Sequence, residues 1–380
     1  MGLLSNITGF GRPKNTGASA VFGFLFLFIS SIGLWVNEGR SVDQMDALYE
    51  MQQAITTLPD TKIHPDLDKK AVLIQGKVSA TSPAKDPEFN ISSSNSLALQ
   101  RIVEMYQWKQ HSRAESKHET SYEYSKEWSS EPIDSSTFKE SEAHYNPSFP
   151  YPNEIFSTEA KIGDYILSKS VLAKIPFSNT LGLSSFPDTI NNAKNHKSFL
   201  FIGKDVNQPS IGDVKISYKT AAEGIYSIAA ASANKYLTDF TTENNKSLSF
   251  VRQGIVPATK IFADEQANNT TLTWILRFTG LFVMFLSFSG ILNYFTGFAD
   301  YIPVIGPLLS GVKSVIAGVL TLILGSFVIA IAWFSARPIL SISILIIGGI
   351  IAFLLNKFAP KRKVADNTKN ASTATTSPHS

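Results

Sequence analysis

Six histidines and a complete absence of cysteine set the first limits on the chemistry this chain can perform. His379 lies close to the C-terminus, and His64, His111, His118, His144 and His196 are scattered, with no H-E-x-x-H or comparable ligand spacing. Without cysteine there are neither disulfides nor thiolate metal sites. The nucleophile elbow G-x-S-x-G, the phosphate loop G-x-x-x-x-G-K-[ST] and the dinucleotide fingerprint G-x-G-x-x-G are all missing. Glu115, Glu119, Glu123 and Glu127 recur at every fourth position, but they sit among polar residues and read as a solvated face rather than an acid/base pair. No catalytic, cofactor-binding or metal-ligating residue is assigned on these grounds. The expectation is a protein that is not an enzyme, takes no cofactor and binds no nucleic acid. Asn-x-Ser/Thr triplets at Asn90, Asn245 and Asn269 matter only where an exported segment is glycosylated.

The elements that must position any site follow from charge spacing. The 380 residues average 44% hydrophobic and 17% charged, with a net charge of +3. Four long runs nevertheless carry no charge: Asn15–Asn37, Phe278–Ala299, Ser314–Ala336 and Pro338–Asn356. A bilayer core of about 30 Å needs about 20 apolar helical residues, so each run is long enough to span one. This excludes a simple soluble globule. Residues 38–271 hold 24 Lys and Arg against 29 Asp and Glu, a charge of −5, which leaves +8 for the remainder. Arg12 and Lys14 precede the first run, and Lys357, Lys361, Arg362, Lys363 and Lys369 follow the last. By the positive-inside rule both termini are cytoplasmic and the long acidic segment is outside. Small residues Ala18, Ser19 and Ala20 precede the first apolar core and bulky Leu34-Trp35-Val36 follows it, which reads as an uncleaved anchor rather than a signal peptide. Trp35, Trp274, Arg277 and Arg337 lie at span edges and read as interfacial anchors.

The fold expected is thus a multi-pass α-helical membrane protein of four spans with a large β-rich α+β extracytoplasmic domain. Its parts are a cytoplasmic N-terminus (1–14), span 1 (15–37), the extracytoplasmic or luminal domain (38–271), span 2 (272–295), a Pro-interrupted interfacial hairpin (296–313), span 3 (314–336), span 4 (339–356) and a basic, then disordered, cytoplasmic tail (357–380). Within the outer segment, Val42, Met45, Leu48, Met51, Ile55 and Leu58 predict an amphipathic helix from Ser41, with its apolar stripe on the domain core. Ala71–Ser79 predicts a strand, and Arg101–Trp108 with Tyr122–Trp128 predicts an antiparallel hairpin. Its aromatic residues are expected to form a structural core, with a sugar or peptide platform as the functional option. A short helix is expected at Asp164–Lys174, and strands at Ser198–Ile202, Val214–Lys219, Ile225–Ala231 and Leu248–Val251, an order that allows two related halves on either side of residue 160. Ala258–Asn268 predicts a helix leading into span 2.

Several of these segments resemble the transmembrane protein 43 (LUMA) family. They are Asn37-Glu38-Gly39-Arg40, Val103-Glu104-Met105-Tyr106-Gln107-Trp108, the Tyr122-x-Tyr124-x-x-x-Trp128 pattern, Asn146-Pro147-Ser148, Gly212-Asp213-Val214 and Arg337-Pro338. The resemblance implies one N-terminal span, a large luminal domain, three clustered C-terminal spans and a role as a membrane organiser that self-associates. Animal members lie in the endoplasmic reticulum and inner nuclear membrane and bind emerin and lamins; a bacterial inner-membrane relative is favoured here, for which those partners are not carried over. The function expected is a non-enzymatic scaffold that forms homo-oligomers and offers its outer domain to membrane lipids or to unknown membrane or envelope proteins. The alternatives are an accessory subunit of a channel or transporter, and a membrane-bound enzyme of lipid or envelope metabolism.

Overall fold

The computed structural model describes residues 18–114, 120–299 and 305–337, together with positions 342, 343, 346, 347 and 350. The expected cytoplasmic N-terminus and tail lie outside the described residues, as does most of span 4, whose few described positions are helical. Among the described residues, three helices are long and apolar enough to cross a membrane: Ala20–Ala54, Ala258–Tyr294 and Val312–Ala336.

Helix α1, Ala18–Ala54, runs unbroken for 37 residues. The separate amphipathic helix expected from Ser41 is therefore the upper part of α1. Ser41 needs no capping role, because the chain reaching it is already helical. The expected stripe does face the outer domain: Val42, Leu48 and Met51 are buried, and Ala47, Leu48 and Met51 pack with Ala71, Leu73 and Ala229. After Ala54 the chain forms a two-residue strand, Thr56–Thr57, parallel to Val72 and Leu73.

Helix α3, Ala258–Ala299, is equally continuous over 42 residues, and helix α4 covers Ile305–Ala336. The hairpin expected over 296–313 is accordingly reduced, since 296–299 close α3 and 305–313 open α4; residues 300–304 lie outside the described residues. Pro307 falls in the first turn of α4, where the N–H it lacks would have no intrahelical acceptor. α1 and α3 pack antiparallel at very close range. A methyl at Gly23 would sit 2.6 Å from Ile291 Cγ1, and one at Gly280 would sit 2.7 Å from Leu34 Cδ2, so a larger residue at either position would require the facing side chain to shift. α4 packs on both. Phe22, Phe24, Phe28, Val315, Leu322, Ile323 and Phe327 point outward from this bundle, as lipid-facing residues do.

Among the described residues the outer domain is built from two large sheets and two small two-stranded ones. Its principal elements are β1 (Ala71–Ala80), β2 (Ser96–Ala114), β3 (Thr120–Ser129), β4 (Glu154–Ser157), β5 (Ala160–Ile162), β6 (Tyr165–Leu167), α2 (Lys169–Leu172), β7 (Leu200–Ile202), β8 (Val214–Ala222), β9 (Gly224–Ala233), β10 (Tyr236–Thr238) and β11 (Phe250–Gln253). In the first sheet β1, β5, β6, β10 and β9 pair in that order, and β9 returns to β1 with Ala231 opposite Ala71 and Gly224 opposite Val78. The pairings thus close into a ring filled by Val72, Ile74, Val78, Ile162, Tyr165, Ile228 and Leu237. The second sheet runs from two short strands, Thr189–Ile190 and Ala193–Asn195, through β7, β8 and β2 to β3, with β4 following β3 along the same edge of β2, the one away from β8. Its core is Phe89, Ile91, Leu99, Val103, Met105, Leu200, Ile216 and Tyr218.

Two expectations for this domain change. Both sheets draw strands from either side of residue 160, so the chain does not divide there into related halves. The helix expected over Asp164–Lys174 shrinks to the four residues of α2, because Tyr165, Ile166 and Leu167 are all buried and pair as β6. A fully buried run without alternation carries no period to separate strand from helix.

Leu48 is fully buried between helix and sheet. Leu48→Ala is expected to lower the unfolding free energy of the outer domain by about 2–5 kcal/mol, whereas Leu25→Ala, on the outward face of the same helix, leaves it unchanged. Near-UV circular dichroism melts of the solubilised protein distinguish the two.

Candidate functional site

The polar residues that interrupt α1 above Trp35 meet those of α3 in a clamp. Glu38 is 1% exposed, and Arg277 approaches it side-on, with Nε donating to Oε1 at 2.7 Å and Nη2 to Oε2 at 2.6 Å. This two-point geometry is the strongest that a guanidinium and a carboxylate form. Arg277 also lies 4.8 Å from the centre of the Trp274 ring. Arg277, read from the sequence as an interfacial anchor, bonds a carboxylate 239 positions earlier in the chain.

One turn above, Arg40 donates to Asn269 Oδ1 at 2.9 Å, Thr273 Oγ1 at 3.0 Å and Asn37 Oδ1 at 3.2 Å. Asn37 Nδ2 donates to the Thr273 carbonyl at 3.2 Å, and Asn269 Nδ2 to the Ser41 carbonyl at 2.9 Å. Asn269 is thereby buried and engaged, which removes it from the exposed glycosylation triplets; Asn90 and Asn245 are exposed. Helical spacing explains the assembly. Asn37 and Ser41 are one turn apart on α1, and Asn269, Thr273 and Arg277 are successive turns on α3, so each set forms one stripe. Gly39 faces open space, and packing does not account for it.

The clamp sits at the end of the apolar belt. Trp35 and Trp274, 42% and 50% exposed, flank it as interfacial tryptophans do. Arg337, at the end of α4, reaches Asp46 of α1 at 3.4 Å, so α4 runs parallel to α1. Trp333, one turn before Arg337, joins the same end of the bundle. Its place at the end of a charge-free run was visible in the sequence, but it escaped selection beside Arg337.

The family-like motifs of the outer domain gather on β2. Val103, Met105 and Gln107 face inward, whereas Tyr106 and Trp108 face the other way and are half-buried; the aromatic side chains expected as a core instead line the outer side of the sheet. Tyr106 pairs across with Trp128, their rings 5.2 Å apart. Other ring faces are occupied as well. Lys126 Nζ lies 4.6 Å from the Trp108 ring, Lys215 Nζ 4.1 Å from Trp128, and His144 stacks on Tyr124 at 3.6 Å. These contacts leave little of the open ring surface that a sugar platform needs. Tyr122 is exposed. Asn146 continues the ladder with its side chain, accepting from Trp108 N at 2.7 Å and donating to Trp108 O at 2.9 Å. Gly212 and Asp213 do the same with their backbone at Tyr106. Pro147 packs beside Gly212, whose φ of +91° suits glycine. Glu104 pairs opposite Lys215, and Ser148 lies within the segment that leads back to β4.

Two further charged groups escaped selection because their partners are remote in sequence. Arg101, 2% exposed, donates to both oxygens of buried Asp86 at 3.0 and 2.9 Å, to Glu154 at 2.9 Å and to the Pro152 carbonyl at 3.1 Å. Tyr218 donates to Asp86 at 2.8 Å, and burial together with that carboxylate pushes its phenol well above the ordinary tyrosine range. Every nitrogen of the guanidinium is occupied, so this group joins strands rather than presenting a reactive atom. Lys174 reaches Ser249 Oγ at 2.6 Å and Asp239 at 3.1 Å, but Ser249 is 2% exposed and donates its own proton to Asp239 at 2.5 Å. Among the described residues His, Asp and Glu form no group of three or more able to hold a metal ion.

Removing one member of the Glu38–Arg277 pair strands a buried charge, at a cost of about 3–5 kcal/mol. Arg277→Met alone is therefore expected to destabilise the helix bundle more than Glu38→Leu combined with Arg277→Met, as read from thermal melts in nanodiscs. In the outer domain, burial acts to raise the Asp239 carboxyl, but hydrogen bonds from Ser249, Ser170 and Lys174 outweigh it and hold the group below the usual carboxylate range. A depressed acid stabilises the fold above its unfolded pKa of about 3.9 and loses that contribution as pH falls through the folded value. Stability should therefore decline below about pH 4, and Asp239→Asn should flatten part of the decline in an acid titration followed by fluorescence.

Comparison with known proteins gives this arrangement a family. The family model described as Transmembrane protein 43 matches residues 105–338. Transmembrane protein 43 of Homo sapiens is 25% identical over 353 residues, covering 86% of this chain and 87% of its own length. The Transmembrane protein 43 homolog of Drosophila melanogaster is 26% identical over 347 residues, covering 87% of this chain and 92% of its own. No solved structure matches. With the outer sheet from Met105 onward and α3 and α4 all inside the matched region, the chain belongs to the transmembrane protein 43 family and is an integral membrane protein.

Proposed function

We propose that this protein is a non-enzymatic membrane scaffold that self-associates through its spans and presents its β-rich domain, outside the cytoplasm, to protein or lipid partners. The observation that carries this reading is the continuity of α1 and α3. Each passes without a break from the apolar belt into the core of the outer domain, and the Glu38–Arg277 clamp fastens one to the other. A domain mounted in this way keeps a fixed height and orientation over the membrane, which is what a platform for assembly requires. The outward-facing apolar side chains of α1 and α4 supply surface for helix association. The orientation rests on the excess of Lys and Arg at both ends of the chain.

Two measurements test this. A reporter fused after Ser380 should be cytoplasmic, and protease added outside should cut within residues 38–271; the opposite pattern overturns the orientation. In liposomes at low protein density, copies labelled with donor and acceptor dyes should show energy transfer with no ion flux. Flux without association would instead favour a channel subunit.

A further inference from the structure

Beyond Met105 the β2–β3 hairpin leaves its sheet. Pairing of β2 with β8 ends where Met105 lies opposite Val214, and only Gly212, Asp213 and Asn146 extend it, as far as Trp108. From there to Ala114, β2 pairs with β3 alone. The result is a two-stranded arm. Its aromatic face is covered by Phe138 and His144, which pack on Tyr124.

The opposite face is open, and its charges lie in columns. On β2 it carries Lys109, His111 and Arg113; on β3 it carries Ser121, Glu123, Ser125 and Glu127, with Lys109 opposite Ser125, His111 opposite Glu123 and Arg113 opposite Ser121. Lys109 Nζ reaches Glu127 diagonally at 2.8 Å. The acidic column is the outer one. β3 is the last strand of its sheet, so along its 10 residues the edge away from β2 pairs with no strand among the described residues. A bare edge of this kind is a template for another strand, and a two-stranded ribbon gains most from acquiring one.

We propose that the free edge of β3 takes up an extended segment of a partner protein carrying Lys or Arg at alternate positions. In a strand added there, every second side chain stands on the open face next to Glu123 and Glu127, extending the order basic, acidic to basic, acidic, basic. A second copy of β3 is a poor occupant, because it sets one acidic column against another. The inference rests on the scaffold reading and names the chemistry of the segment that the outer domain takes up.

The test uses the full chain in nanodiscs and dye-labelled decapeptides followed by fluorescence anisotropy. The probes are a peptide alternating Lys and Thr, its Glu and Thr counterpart, and the Lys and Thr peptide N-methylated at every backbone amide. The Lys peptide should bind, the Glu peptide roughly tenfold or more weakly, and the N-methylated peptide not at all. Glu123→Lys combined with Glu127→Lys should reverse the preference between the first two, with an unchanged far-UV spectrum showing that the sheet survives. Equal binding of the N-methylated peptide, absence of Lys-peptide binding, or indifference to the charge reversal overturns the proposal. Self-association of the same double variant, read by energy transfer, reports on the scaffold reading separately, since its spans are untouched.

Discussion

A carboxylate taken out of water at the edge of a bilayer dictates much of how this molecule is put together. Glu38 has almost no solvent contact, so it requires a cation at bonding distance. Arg277 supplies it through two parallel hydrogen bonds. That contact fixes the register of α3 against α1, and the register in turn places Gly280 against Leu34, Gly23 against Ile291, and Asn269 and Thr273 against Arg40. Above the clamp the same two helices present Leu48, Met51, Ile261 and Phe262 to the sheet. A shift of one turn in either helix would break the ion pair and misplace every one of these contacts.

The outer domain uses buried charge in a related way. Arg101 joins Asp86 to Glu154 and the Pro152 carbonyl, points on two separate segments beside β2. Replacing such a group with apolar side chains of similar volume is often tolerated, but no apolar set imposes the same directional constraint. Here that constraint holds two short strands in position, Ala84–Asp86 and Glu154–Ser157.

What was legible in the sequence divides along physical lines. Charge-free runs revealed α1, α3 and α4, because a bilayer imposes a length that composition alone exposes. Alternation revealed the β2–β3 hairpin and β8, whose two faces differ in burial. The β5–β6 region and the closed ring were hidden, since Tyr165, Ile166 and Leu167 are buried on every side and show no period. The start proposed at Ser41 was misplaced because a capping pattern in a continuing helix looks the same as one at a true beginning. Of the clamp, Asn37, Glu38, Arg40 and Arg277 were singled out, the first three as a motif and the last as an anchor, but their pairing was not visible. It joins positions more than 200 residues apart, and no local signal connects them.

That separation has a consequence in time. α1 enters the membrane carrying Glu38 when its partner has not yet been synthesised. Arg277 follows 239 residues later, and at about 5–20 residues per second this is a wait of roughly 10–50 s. The strand that closes the ring also comes late, because β9 pairs with β1 across some 150 positions. Until then the nascent chain holds an unneutralised carboxylate at the bilayer edge and an open sheet beside it. During this interval the protein depends on whatever surrounds it: β9 and β10 close the sheet first, and α3 then neutralises the carboxylate.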